Sequence, residues 1–204
     1  MRRVAAIVIV LSSMGSSAFA QTEGRVSVGG SITFVKPTDE DVNSVLGGGP
    51  LVRLNPRKGW GVAGALNWFR ADLDNPSGAS GDFARLRVRP LMAGVSYTIG
   101  DQPTLVSFSI VAGPSFNKFS FVDDFINGLP GGQRPSADVE TSFAVRPGVS
   151  VTFTVAPRVA IVGFGGYMIN RPDIVYRDIA GTEYRNRWKA DAAVLSVGAV
   201  YSIF

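Results

Sequence analysis

Asp138-Val139-Glu140-Thr141-Ser142-Phe143-Ala144-Val145-Arg146-Pro147-Gly148-Val149-Ser150-Val151-Thr152-Phe153-Thr154-Val155 alternates from end to end. Val139, Thr141, Phe143, Val145, Pro147, Val149, Val151, Phe153 and Val155 share one face of an extended chain, and Glu140, Ser142, Ala144, Arg146, Gly148, Ser150, Thr152 and Thr154 the other. Successive side chains on a strand point to opposite sides, so this run reads as one strand with an apolar and a polar face. Strands of soluble sheets usually span about five or six residues. A strand crossing a bilayer is longer, with apolar side chains toward lipid and polar ones toward the interior, and that pattern fits better.

The same split recurs outward along the chain. Trp60, Val62, Gly64, Leu66 and Trp68 alternate with Gly61, Ala63, Ala65 and Asn67, and Val26, Val28, Gly30, Ile32 and Phe34 with Ser27, Gly29, Ser31 and Thr33. Val106 to Phe116 behaves alike. Between Phe83 and Ile99 the phase slips: Leu86 and Val88 lie opposite Arg85, Arg87 and Arg89, but Leu91, Ala93, Val95, Tyr97 and Ile99 take over beyond Pro90. A β-bulge near Pro90 is the expected cause. Leu51 to Leu54 with its neighbours, Val159 to Ile169 and Trp188 to Ile203 complete about eight strands, and no stretch carries a helical repeat.

Connector lengths give the topology. Asn55 to Gly59, Gly100 to Pro103 and Ala156 to Arg158 are tight turns rich in Gly, Pro and Asn. The connectors near Pro37 to Gly49, Ala71 to Asp82, Ser120 to Ala137 and Arg171 to Asn186 are long, so short and long alternate strictly. That is the pattern of an all-β, closed, antiparallel, up-and-down transmembrane β-barrel with short periplasmic turns and longer extracellular loops. Eight strands is the expected count, and ten would need a further hairpin within Ser120 to Ala137.

The first twenty residues fall outside this domain. Arg2 and Arg3 precede an apolar run from Val4 to Leu11 and then Ala18-Phe19-Ala20, which reads as a secretory signal peptide cleaved before Gln21. The barrel domain is then residues 21–204. Without the signal, Lys and Arg fall from 20 to 18 against 16 acids, and the net charge from +4 to +2. The remaining cations are scattered, so no nucleic-acid partner is expected.

Aromatic side chains favour membrane interfaces. Trp60, Tyr97, Phe153 and Tyr201 are expected at the periplasmic rim, and Phe34, Trp68, Phe116, Phe143 and Tyr167 at the opposite one. The chain closes on Val197-Gly198-Ala199-Val200-Tyr201-Ser202-Ile203-Phe204. With these features, Gly24 to Phe204 resembles the small outer-membrane β-barrel family that includes the OmpA transmembrane domain, OmpX and OmpW-like proteins. The resemblance implies an outer membrane of the Gram-negative type, with lipid and lipopolysaccharide as surroundings. It further implies that Tyr201, Ile203 and Phe204 form the terminal signal read by the barrel-assembly machinery, although Phe204 stands one step out of phase with the apolar face.

The chain has no Cys and no His, which removes the commonest catalytic base and the usual metal ligands. No catalytic, metal or cofactor site is expected. Alternation directs Asn67, Arg85, Arg87, Arg89, Glu140 and Arg146 into the lumen. They read either as a structural network in which Glu140 pairs with arginines or as an arginine-lined constriction favouring anions. Asp39-Glu40-Asp41 and Asp123-Asp124 are candidate divalent-cation clusters, against the plainer reading of solvated loop charge. Three functions stay open: a non-enzymatic barrel acting in envelope structure or surface interaction through its four long loops, a small passive channel or conduit for small or apolar solutes, and a soluble lipocalin-like carrier.

Overall fold

The computed structural model describes residues 26–38, 43–54, 58–74, 82–122, 136–177, 183–187 and 189–203. Its main sheet closes on itself. The strands are β1 (Val26–Pro37), β2 (Val45–Leu54), β3 (Gly59–Leu66) with β4 (Trp68–Asp74), β5 (Asp82–Asp101), β6 (Thr104–Phe121), β8 (Ser142–Ala156), β9 (Val159–Met168) and β12 (Ala192–Ser202). Each pairs antiparallel with the next, and β12 returns to β1 from Ser27↔Ser202 to Pro37↔Ala192. β3 and β4 keep one register against β5 and are one barrel strand interrupted at Asn67, so the wall has eight strands. Closure leaves no sheet edge, which a bilayer demands because lipid offers no hydrogen bonds to a bare strand.

Gly100 to Pro103 and Ala156 to Arg158 are the tight turns read from the sequence, and residues 55–57 of the third lie outside the described residues. Gly59 and Gly100 flank two of them with φ of +104° and +95°, the left-handed region that glycine enters without a Cβ clash. The connector from Arg171 to Asn186 is not a plain loop. It holds β10 (Asp173–Arg177) and β11 (Glu183–Arg187), which join β7 (Ser136–Val139) in a second, three-stranded sheet ordered β11-β10-β7. This hairpin lies outside the barrel sheet, while residues 123–135 of the Ser120 to Ala137 connector lie outside the described residues.

Two expectations about strands are corrected here. Asp138 to Val155 is not one strand: Glu140 and Thr141 break it, Val139 pairs with Ile174 of β10, and the barrel strand begins at Ser142. Nor is there a bulge at Pro90. β5 holds one register against β6 from Ala84↔Phe121 through Pro90↔Ser115 to Asp101↔Thr104. Ala84, Leu86, Val88, Pro90, Met92, Ser96 and Thr98 are all buried, so alternation never slips. What changes at Pro90 is the surroundings of each face. Below it the outward side chains are apolar and, past Met92, the inward ones Ser96 and Thr98 are polar; above it the outward ones are Arg85, Arg87 and Arg89 and the inward ones apolar.

That inversion divides the barrel by height. Around Val62, Val95, Ile110 and Val149, large apolar side chains face outward and are exposed, as expected of a wall against lipid. Higher up, the interior resembles a soluble core. One apolar layer packs Val35, Met92, Val111, Met168 and Val194 with Phe69 and Phe164; another joins Ala71, Leu86 and Val88 of the wall to Val139 and Ile174 of the second sheet.

Candidate functional site

The barrel interior is built from three stacked environments, and its chemistry is best read from the turn end upward. At the level of the lipid-facing band, β1, β5, β6, β8 and β12 turn Ser31, Ser96, Ser109, Ser150 and Ser196 inward around a cavity of about 80 Å³. Arg53 and Arg146 line it too, with Asn67 at its margin. Among the described residues no carboxylate lines this cavity.

Arg53 is held by neutral acceptors: Nη1 donates to Thr152 Oγ1 at 2.6 Å and Nη2 to Ser107 Oγ at 2.9 Å. Thr98 and Ser107 hydroxyls share a bond of 2.8 Å beside it. The Arg146 guanidinium lies 4.9 Å from the Phe164 ring centroid, a cation–π distance. Its Nε is buried without a partner, as is Ser96 Oγ.

Above the first apolar layer, at the height of Phe116, four side chains close a ring. Asn170 Nδ2 donates to Ser115 Oγ at 3.4 Å, Ser115 Oγ to Asn117 Oδ1 at 2.9 Å, Asn117 Nδ2 to Ser142 Oγ at 2.9 Å, and Ser142 Oγ to Asn170 Oδ1 at 2.5 Å. The Asn170 backbone N–H adds a bond to Asp191 Oδ1 at 3.0 Å. Such a ring satisfies buried polar groups that would otherwise cost about 1–3 kcal/mol each, and it ties β6, β8 and the β9–β12 connector together.

The residues expected in the lumen are divided by the structure. Asn67 and Arg146 are inward and buried. Arg85, Arg87 and Arg89 are not in the lumen; they lie on the outer face of β5, because the apolar Leu86 and Val88 occupy the inside at that height. Glu140 is not in the lumen either: it follows β7 outside the barrel and accepts a bond from Arg185 Nη2 at 2.5 Å. Glu140 therefore pairs with an arginine, but in the second sheet. Arg53 is the lumen cation that sequence reading missed; its signal was the outward pair Val52 and Leu54, legible only once β2 is known to reach back to Val45.

The interface aromatics Phe34, Trp60, Trp68, Tyr97, Phe116, Phe143, Phe153, Tyr167 and Tyr201 all point outward and are exposed. Trp60 and Tyr97 stack edge to face at 5.2 Å. Tyr201 and Ile203 are likewise exposed, while Phe204, the signal segment 1–20 and both acidic clusters lie outside the described residues.

The second sheet is charged. Arg187 Nε meets Asp173 Oδ1 at 3.1 Å, and Arg177 pairs with Glu183. The Arg177 hydrogen bond and charge hold the Glu183 carboxyl below its ordinary range. A depressed carboxyl favours the folded hairpin above the unfolded carboxylate pKa and loses that contribution as pH falls through its folded value. Amide protection factors in residues 173–177 and 183–187, taken relative to the intrinsic exchange rate at each pH, are therefore expected to fall on acidification below the carboxylate range, and Glu183→Gln to flatten that dependence.

Residues 6–202 match the family model described as outer membrane protein beta-barrel domain. Among solved structures, a major outer membrane protein from Thermus thermophilus superposes with a TM-score of 0.64 at 15% identity, over 89% of this chain and 100% of that one. The outer membrane protein W of E. coli gives 0.59 at 16%, over 90% and 100%. The attachment invasion locus protein Ail of Yersinia pestis, solved with the heparin analogue sucrose octasulfate, gives 0.52 at 16%, over 89% and 100%. No curated protein sequence matches. At such identities the superpositions speak for the fold alone, and the family match over nearly the whole chain carries the assignment: this chain belongs to the outer membrane protein beta-barrel domain family.

Proposed function

We propose that this outer-membrane barrel is a non-enzymatic surface platform, exported through a cleaved signal peptide and inserted by the barrel-assembly machinery. The observation that carries the reading is the inversion along β5. A wall with polar outward and apolar inward side chains suits water outside, so the upper barrel would stand clear of the hydrocarbon and present β7, β10 and β11 on its own core. Loops on a rigid scaffold are where binding surfaces concentrate.

The outer face just above the aromatic rim supports lipopolysaccharide as a neighbour. Trp68, Arg89 and Phe116 stand in one lateral row, and Arg70, Arg87 and Lys118 in the row above. Cations directly opposite across strands repel. Arg70 and Arg85 lean on Asp72 at 3.5 and 3.2 Å, whereas Arg87, Arg89 and Lys118 make no ion pair among the described residues. A row of cations at headgroup height is complementary to phosphorylated glycolipid.

The conduit reading is favoured less, because apolar side chains fill the interior above the polar cavity. Planar-bilayer recording of the refolded, heat-modifiable protein separates the two. Quiet bilayers are expected, together with a lipopolysaccharide-dependent rise in unfolding temperature that Arg87→Ser with Lys118→Ser removes. Reproducible unitary steps would replace the platform with a channel.

A further inference from the structure

We infer that the lower lumen is a binding site for one small inorganic anion, of the size and charge of chloride, held beside Arg146 and Ser96. Arg146 is only 8% exposed, and among the described residues it has no hydrogen bond and no ion pair. A guanidinium stays protonated in any protein environment, so it cannot escape burial by neutralising, as a lysine would. Removing such an ion from water costs several kcal/mol unless charge and hydrogen bonds are returned to it. The face of Phe164 returns part, of the order of 0.5–2 kcal/mol, and leaves the buried Nε–H without an acceptor.

The missing partner has a defined chemistry. Arg53 adds a second positive charge to the same cavity, and no carboxylate lines it among the described residues. Ser96 Oγ, also buried without a partner, is a hydroxyl donor free to turn toward an anion. Ser109 lies directly opposite Ser96 across β5 and β6, and Gly148, two residues beyond Arg146, lies opposite Ser109. Ser109 Oγ donates to the Gly148 carbonyl at 3.5 Å, which leaves Ser96 as the free hydroxyl of that row, and Arg146, paired with Val111, stands one inward step higher on the neighbouring strand. A cavity of about 80 Å³ has room for an ion and a water or two, since water occupies about 30 Å³ in the liquid.

The polar side of the cavity faces the turn end. A second cavity of about 80 Å³, lined by Ser27, Gln102, Thr152 and Arg158, shares Arg53 with the first. The apolar layer of Met92, Val111 and Val194 closes the other side. The site is therefore closed toward the rim, which distinguishes it from an anion-conducting constriction and makes it independent of the surface role.

Chlorine-35 NMR on the full, refolded protein in a chloride-free detergent buffer, titrated with chloride at constant ionic strength against gluconate, reads binding directly. The wild type is expected to broaden the chloride line beyond the detergent background, and unlabelled bromide to narrow it again by competition. Arg146→Met keeps the side-chain volume while deleting the charge, and is expected to lose that excess broadening. In parallel, the unfolding midpoint of the wild type should rise with chloride but not with gluconate, as linkage requires of a ligand that binds only the folded state. No excess broadening by folded wild type overturns the inference, whatever the variant does. So does equal broadening by wild type and a folded Arg146→Met protein.

Discussion

Arginine in place of Ile110 is expected to destabilise the folded protein by about 2–4 kcal/mol when folding is measured in lipid vesicles, the cost of a cation on the lipid face near the bilayer midplane. Ile110 is 58% exposed. On a soluble protein such an exposed site would tolerate the change to within about 0.5 kcal/mol. Here it stands between Val95 and Pro147 on the neighbouring strands, inside the outward apolar band and away from both aromatic rims. The control lies higher on the same strand: Lys118→Arg keeps a cation in the outward row above Phe116, where the change should stay within about 0.5 kcal/mol. Reversible urea unfolding in vesicles measures both. Equal, small effects at the two positions would place water on both and remove the lipid band, returning the soluble carrier as the better description.

Leu86→Ala addresses the upper half. Leu86 is buried among Ala71, Val88, Val139 and Ile174, and truncating a buried leucine costs about 2–5 kcal/mol. The loss should be local. The lower wall is held by its own strand pairing and by lipid, so heat-modifiable mobility is expected to persist while limited proteolysis reaches residues 173–187 sooner than in the wild type. Unchanged protease resistance would mean that the second sheet stands without this core. The neighbouring Arg87→Ala serves as contrast, since its side chain faces outward and its loss should leave proteolysis unaltered.

These two positions show what was legible in the chain. Ile110 could be placed outward from alternation alone, because its neighbours at two-residue spacing are apolar and the intervening ones are mostly serines. Arg87 could not. The apolar face was equated with the outside, which holds only where the outside is lipid. Along β5 the periodic side assignment is continuous, but at Pro90 the outward face turns from apolar to charged and the inward face from polar to apolar, and together these read as a slip. Pairing Arg87 with Lys118 and Arg70 shows that the whole row stands above Trp68 and Phe116, which is a statement about height, and height depends on the stagger between strands.

The same reason governs the lumen. Arg146 was readable because it lies within the lipid-facing stretch of β8, whereas Arg53 sits on a strand rich in Gly, whose alternation is weak. Glu140 was carried inward by the phase of the residues after it, but the chain breaks before Ser142, and the backbone of Val139 pairs with β10 instead. Alternation, turn chemistry and the order of short and long connectors are local properties, and by themselves they determined an even, closed, antiparallel barrel and the direction of most lipid-facing side chains. Tertiary structure alone decided at what height the outward face turns from apolar to charged, which cations share the lumen, and that the last long connector folds into a sheet. Each of these depends on which residues of distant strands stand at the same height, and a two-residue period carries no information about that.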